Sequence, residues 1–120
     1  MQKIVGRKTR DTIKSSTAPG APILRLEEFE AGGVGPLNFE LVENEIVGLV
    51  GLRGAGHEVI SRALFGSEPY AGKAILKGEE PDLSTPQKAL KAGVGLVAKD
   101  RTEESVAMNL TIRENTFLNP

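Results

Sequence analysis

Residues 46–58 read Ile-Val-Gly-Leu-Val-Gly-Leu-Arg-Gly-Ala-Gly-His-Glu. An apolar run enters three glycines, Gly51, Gly54 and Gly56, and a helical pattern follows. A phosphate-binding loop of the Walker A type has the frame G-x-x-x-x-G-K-[ST] between a strand and a helix. Gly51 and Gly56 keep that spacing, but the next two places hold His57 and Glu58 where Lys and Ser/Thr belong. The backbone frame of a nucleotide site is present without the two side chains that do its chemistry.

Such a loop binds phosphate mainly through its backbone. The helix after Gly56 offers unpaired N–H groups and the positive end of its dipole. Glycines let the chain curl close to phosphate oxygens. Gly51, Arg53, Gly54, Ala55, Gly56, His57 and Glu58 are therefore the candidate nucleotide-binding residues. The missing Lys would place a permanent charge on the phosphates, and the missing hydroxyl would hold Mg²⁺. An imidazole is mostly neutral at pH 7 and supplies little charge. The Glu58 carboxylate suits the helix dipole but repels a phosphate beside it. These residues predict weak or absent ATP binding, no metal ligand and no catalytic residue. Arg53 either restores one positive charge or is an exposed loop arginine. A glycine-rich strand-to-helix turn also exists without any ligand.

Working outward, Ile23–Phe29 reads as a strand, 31–36 as a Gly-rich turn and Asn38–Leu41 as a second strand. Ile46–Val50 reads as a strand buried on both faces of a sheet. Val59, Ile60, Ala63, Leu64 and Phe65 form one helical stripe, ended by Gly66. Lys73–Leu76 is a further strand. Thr85-Pro86 opens a helix that stops at Gly93, and Gly95–Ala98 reads as a last short strand. Residues 99–110 are mostly polar, and Thr111 with Glu114 forms a capping-box pattern. The order predicts an α/β protein carrying an antiparallel addition.

The 120 residues bear a formal net charge of −1, which argues against a general nucleic-acid role. The charge is uneven. Lys3, Arg7, Lys8, Arg10 and Lys14 face only Asp11 within residues 1–22, a net +4, while the remainder carries −5. Residues 11–22 are small, polar and rich in Pro and Gly, so residues 1–22 read as a basic linker. There is no cysteine and a single histidine, which excludes disulfides and disfavours zinc. No run approaches the roughly 18 apolar residues of a membrane span, and residues 1–22 lack the apolar stretch of a secretory signal. A cytoplasmic chain is expected.

The loop has company. Gly51-Leu-Arg-Gly-Ala-Gly56 is followed by Arg62-Ala-Leu-Phe-Gly66, Pro69-Tyr-Ala-Gly72 and Gly78. Thr85-Pro-Gln-Lys-Ala-Leu-Lys-Ala-Gly93-Val-Gly-Leu-Val-Ala-Lys-Asp100-Arg101 and Arg113-Glu-Asn115 complete the series. This series resembles the ATP-binding subunits of bacterial sugar-import ABC transporters, in which two nucleotide-binding domains share one chain. The match is to the second domain, whose loop typically reads G-L-x-G-A-G-R. Val5-Gly6-Arg7 resembles the junction between the two domains. The resemblance implies an inter-domain linker over 1–22 and, over 23–120, the N-terminal part of an ABC-type P-loop nucleotide-binding domain with its antiparallel β-subdomain. The signature and Walker B motifs that the family places later are absent, so the chain is expected to be a piece of a larger subunit.

The departures bear on the site. The family's second domain usually has Arg-Thr where this chain has His57-Glu58. At the Q-loop position, where Gln or Glu helps to place Mg²⁺ and water, stands Lys99. A charged lysine does not ligate a metal, so Mg²⁺ is not expected here. Lys99 either contacts a phosphate or is solvated at a strand end. Phe29 is either the adenine-stacking aromatic or a core residue.

The implied parent is the energy-coupling ATPase of a monosaccharide importer, peripheral on the inner face of the cell membrane. Its partners are the other nucleotide-binding domain of the same subunit and a transmembrane permease near residues 99–110. The chain alone is expected not to hydrolyse ATP, and to be marginally stable, self-associating or both. Two other readings stay open: an interaction module that kept the P-loop fold and lost the nucleotide, and a small P-loop kinase or GTPase-like enzyme. The sequence does not name the sugar.

Overall fold

The computed structural model describes residue 18 and residues 20–117. Most of the basic linker, and the end of the chain after residue 117, lie outside the described residues. Three strands, β1 (Pro22–Ala31), β2 (Val34–Val42) and β3 (Ala71–Leu76), form an antiparallel sheet in the order β2-β1-β3. Among the described residues four helices accompany it: α1 (His57–Leu64), α2 (Pro86–Lys91), α3 (Arg101–Glu104) and α4 (Ile112–Thr116).

The central strand is bent by an irregularity that decides which side chains enter the core. Simple alternation from Leu26 would put Glu28 on the core face and Phe29 on the other. The register instead slips between Leu26 and Phe29 against β2, and between Glu27 and Glu30 against β3. Glu28 takes a positive φ of 47°. Its backbone N–H donates to Asn38 Oδ1 at 2.8 Å, and Asn38 Nδ2 donates back to Glu28 Oε1 at 2.7 Å. This bulge adds one residue, so Leu26, Phe29 and Ala31 are all buried. They pack with Ile60 and Ala63 of α1, Ala74 of β3, Leu83 and Ala89. Phe29 is fully buried and stacks on Tyr70 with ring centroids 4.8 Å apart. Of the two readings of Phe29, the core residue is the one observed.

Helix ends follow the local signals. At α1, the Ser67 N–H donates to Arg62 and the Gly66 N–H to Ala63, with Gly66 at φ 79°. That is a Schellman closure, which needs a left-handed residue. Gly66 also meets the chain ahead of α2: a Cβ there would stand 2.5 Å from the Thr85 carbonyl carbon. At α2, Thr85 caps and Pro86 opens the helix, and Val94 N–H donates to Ala89 at its end. The capping box of Thr111 and Glu114 is complete at α4.

Two strand expectations fail. Neither 46–50 nor 95–98 joins a ladder, and 45–56 holds no helix or strand. Ile46 is 97% exposed, and Val50 and Val97 are each 95% exposed. A strand exists only where another strand accepts its backbone groups, and these segments pair with neither β2 nor β3, the two edge strands of the described sheet. Half-burial still alternates along 94–98, and Leu49 and Val94 pack against the core. The α/β expectation therefore holds for the helices and the antiparallel sheet; no parallel sheet forms among the described residues. The mostly polar stretch 99–110 contains α3, which the sequence reading did not place, capped by the Asp100 carboxylate.

Candidate functional site

The glycine loop lies between the exposed Ile46–Val50 segment and α1. It closes in two steps: the Ala55 N–H donates to Leu52 at 2.9 Å, and the Val59 N–H donates to Gly56 at 2.9 Å. Gly54 and Gly56 take φ values of 86° and 78°, so the glycines at the second and third places serve the left-handed curl that the frame predicts. A Cβ on Gly56 would meet Val34 at 2.9 Å, which brings the loop against the start of β2. Gly51 lies under the loop's end, where a Cβ would stand 3.0 Å from Ala55 Cβ and 3.2 Å from His57 Nδ1.

His57 and Glu58 form the first turn of α1. His57 Nδ1 is buried and has no hydrogen-bond partner among the described residues. Glu58 turns outward and is met by Lys99, whose Nζ donates to Glu58 Oε1 at 2.6 Å. The Lys99 hydrogen bond and charge hold the Glu58 carboxyl below its ordinary pKa, and His57 and Arg62 add to this against a smaller effect of burial. Thus Glu58 of the loop and Lys99, 41 residues on, are brought into direct contact. Lys99 is not available to a phosphate in this arrangement without leaving Glu58. Arg53 is exposed on the loop.

A cavity of about 300 Å³ opens beside this pair, walled by Val47 and Leu49 on one side, His57 and Ser61 of α1, and Leu96–Ala98 on the other. Lys99 also borders a second hollow of about 410 Å³ with Arg62, Asp100 and Thr102. A larger hollow of about 630 Å³ lies elsewhere, between residues 66–70 and 82–84. Of its two carboxylate residues, Glu68 and Asp82, Asp82 is engaged by Lys88 and by the Ser84 N–H, which hold it well below the usual carboxylate range. Among the described residues no three His, Asp or Glu side chains gather in a metal-binding group. No helix among them is long and apolar enough to cross a membrane.

The loop thus keeps the left-handed glycine turns of the frame, while the side chain two places after Gly56 is not a hydroxyl suited to Mg²⁺. The hydroxyl that would hold the metal is replaced by a carboxylate already taken by an ammonium.

Sequence comparison bears on what this frame belongs to. A ribose import ATP-binding protein, RbsA 3 of Rhizobium meliloti (strain 1021), is 38% identical over 122 residues, covering 98% of this chain and 24% of the relative. An RbsA of Chelativorans sp. (strain BNC1) is 41% identical over 105 residues, covering 85% of this chain and 21% of the relative. An arabinose import ATP-binding protein, AraG of Vibrio parahaemolyticus, is 34% identical over 119 residues, covering 97% and 24%. The homologues are sugar-import ATP-binding proteins. The chain spans about a quarter of the length of these curated relatives. No protein-family model and no solved structure matches it.

Several residues shared with the motif series act in the fold. Asp100 caps α3 by accepting from the Thr102 and Glu103 N–H groups at 3.0 and 3.1 Å. Its Asp-x-x-Glu spacing to Glu103 was the available signal. Asn115 of the Arg-Glu-Asn element clamps residue 107 from both sides: Oδ1 accepts from the Ala107 N–H at 2.8 Å, and Nδ2 donates to the Ala107 carbonyl at 3.1 Å. No local pattern announces that contact.

Proposed function

We propose that this chain is part of the ATP-binding, energy-coupling subunit of a bacterial ABC transporter that imports a monosaccharide. Within that subunit it corresponds to the start of the second nucleotide-binding domain, with residues 1–22 as the inter-domain linker. The similarity to sugar-import ATP-binding proteins over 98% of the chain carries this reading. The Gly51–Gly56 frame, without its Lys and Ser/Thr, supports a degenerate loop with weak ATP contact through Gly51, Arg53, Gly54, Ala55, Gly56 and His57, and with Glu58 and Lys99 spent on one another. Hydrolysis falls to the composite site that uses the other domain's motifs. The partners are that domain and the transmembrane permease, which holds the subunit on the cytoplasmic face of the membrane. The exposed Ile46, Val50 and Val97 favour self-association of the chain when it is alone.

Disruption of the gene, with uptake of labelled ribose, arabinose and galactose followed in the host, tests the transport role. Loss of uptake of at least one sugar is expected, and unchanged uptake of all three opposes it. Calorimetry with ATP tests the loop: weak binding is expected, and micromolar Mg²⁺-dependent binding overturns the degenerate reading.

A second reading, an interaction module that has lost its nucleotide, is favoured by the Glu58–Lys99 ion pair, which satisfies the loop's charge without a ligand. Absence of any ATP-induced shift at residues 51–58 would select it. A P-loop kinase or GTPase-like role would need a Lys at position 57.

A further inference from the structure

The Glu58–Lys99 contact joins two positions that are 41 residues apart, and it lies where a phosphate-binding loop keeps its cation. A glutamate at position 58, left alone, is an oxygen donor that gathers divalent metal and repels phosphate. Here its Oε1 receives the Lys99 ammonium at 2.6 Å, which sets a positive charge where it opposes a second cation on that carboxylate. Both side chains line the same hollow beside α1, and Lys99 borders the neighbouring one as well. The pair is half exposed on the glutamate side and mostly exposed on the lysine side, so it adds little to fold stability. What it changes is the charge and the occupancy of the site.

We propose that Lys99 is a tethered cation in the place a divalent metal holds in complete loops, so that this loop excludes Mg²⁺ and accepts any polyphosphate metal-free. The inference rests on the reading of Gly51–Gly56 as a phosphate-binding frame and names the cation of that site. It also accounts for the two substitutions together. A carboxylate at position 58 is unfavourable beside phosphate, and a lysine at position 99 is unfavourable beside a metal. Each is neutral in its consequences only when the other is present.

The test is titration of the ¹⁵N-labelled 120-residue chain with MnCl₂, reading paramagnetic loss of amide signal at His57, Glu58 and Val59. The wild-type chain is expected to keep those signals. Lys99→Gln, which leaves the carboxylate without its ammonium, is expected to lose them, and Lys99→Arg to keep them. The double change Glu58→Gln with Lys99→Gln is expected to keep them, because the metal donor is gone. Equal loss in wild type and Lys99→Gln overturns the proposal, as does a Lys99→Gln chain that retains full signal. The unchanged amide pattern of β1–β3 reports folding in each variant. A separate titration with ATP in EDTA addresses the phosphate frame itself: absence of shifts at 51–58 removes that reading and the metal-free polyphosphate site with it, whereas shifts at 51–58 alongside manganese binding to wild type remove only the cation assignment.

Discussion

Gly72 lies against the backbone of Glu28: a Cβ at position 72 would stand 2.1 Å from the Glu28 carbonyl oxygen. Gly72 has φ 82°, and it faces the place where the β1–β3 register slips, between Glu27 and Glu30. The bulge turns Phe29 inward, so a glycine on the neighbouring strand and an aromatic in the core depend on one another.

Gly72→Ala is therefore expected to destabilise the chain by about 2–4 kcal/mol, through steric overlap with backbone and a left-handed φ that alanine resists. Denaturant unfolding followed by circular dichroism measures it. A change within about 0.5 kcal/mol, the usual range for surface sites, would place the strand contact elsewhere.

Phe29→Ala removes the largest fully buried side chain among the described residues and its stack on Tyr70. A cost of about 3–5 kcal/mol is expected, a large share of the stability of a small domain. Phe29→Leu keeps the fold at a smaller cost, and its ATP affinity is expected to match that of wild type, because the ring at position 29 has no exposed face for an adenine.

The Glu58 carboxyl titrates below its ordinary value because Lys99 donates to it, with His57 and Arg62 assisting. A lowered folded-state pKa gives a contribution present above the unfolded value and lost as pH falls through the folded one. Lys99→Gln is expected to move the Glu58 midpoint upward, toward the ordinary carboxylate range, in side-chain ¹³C titration. A midpoint that does not move would mean that the pair does not persist in solution.

Asn115→Ala releases the Ala107 N–H and carbonyl from their shared partner. About 1–2 kcal/mol of local stability is expected to go, since these bonds are only partly shielded from water. Hydrogen exchange at the Ala107 amide reads it directly; exchange as slow as in wild type would contradict the clamp.

Ile46, Val50 and Val97 stand almost fully in water on two segments that pair with no strand. Val50→Lys combined with Val97→Lys is expected to lower self-association in light scattering while leaving the circular dichroism of the sheet unchanged. A wild-type chain that is monomeric at high concentration, with a high melting temperature, would remove this expectation.

Much of the local architecture can be read from neighbouring residues. Thr85-Pro86, Gly66, Gly93 and the Thr111–Glu114 box each mark a helix end within a few positions, because capping is satisfied by groups close in the chain. Gly54 and Gly56 of the loop foretell its left-handed turns for the same reason. The bulge at Glu28 was not legible, since it depends on Asn38 across the sheet and Gly72 on the other side. Nor were the fates of Ile46–Val50 and Gly95–Ala98, whose composition says apolar strand while the ladder they require must come from elsewhere.

By itself the sequence determined the loop frame with His57 and Glu58 in its last two places, the ends of α1, α2 and α4 to within a few residues, and the similarity to sugar-import ATP-binding proteins. Only the tertiary structure decided that Phe29 belongs to the core and that Glu58 meets Lys99. Caps and turns are fixed by contacts a few residues long, whereas a bulge, a buried ring and an ion pair across 41 residues exist only once separate segments have packed together.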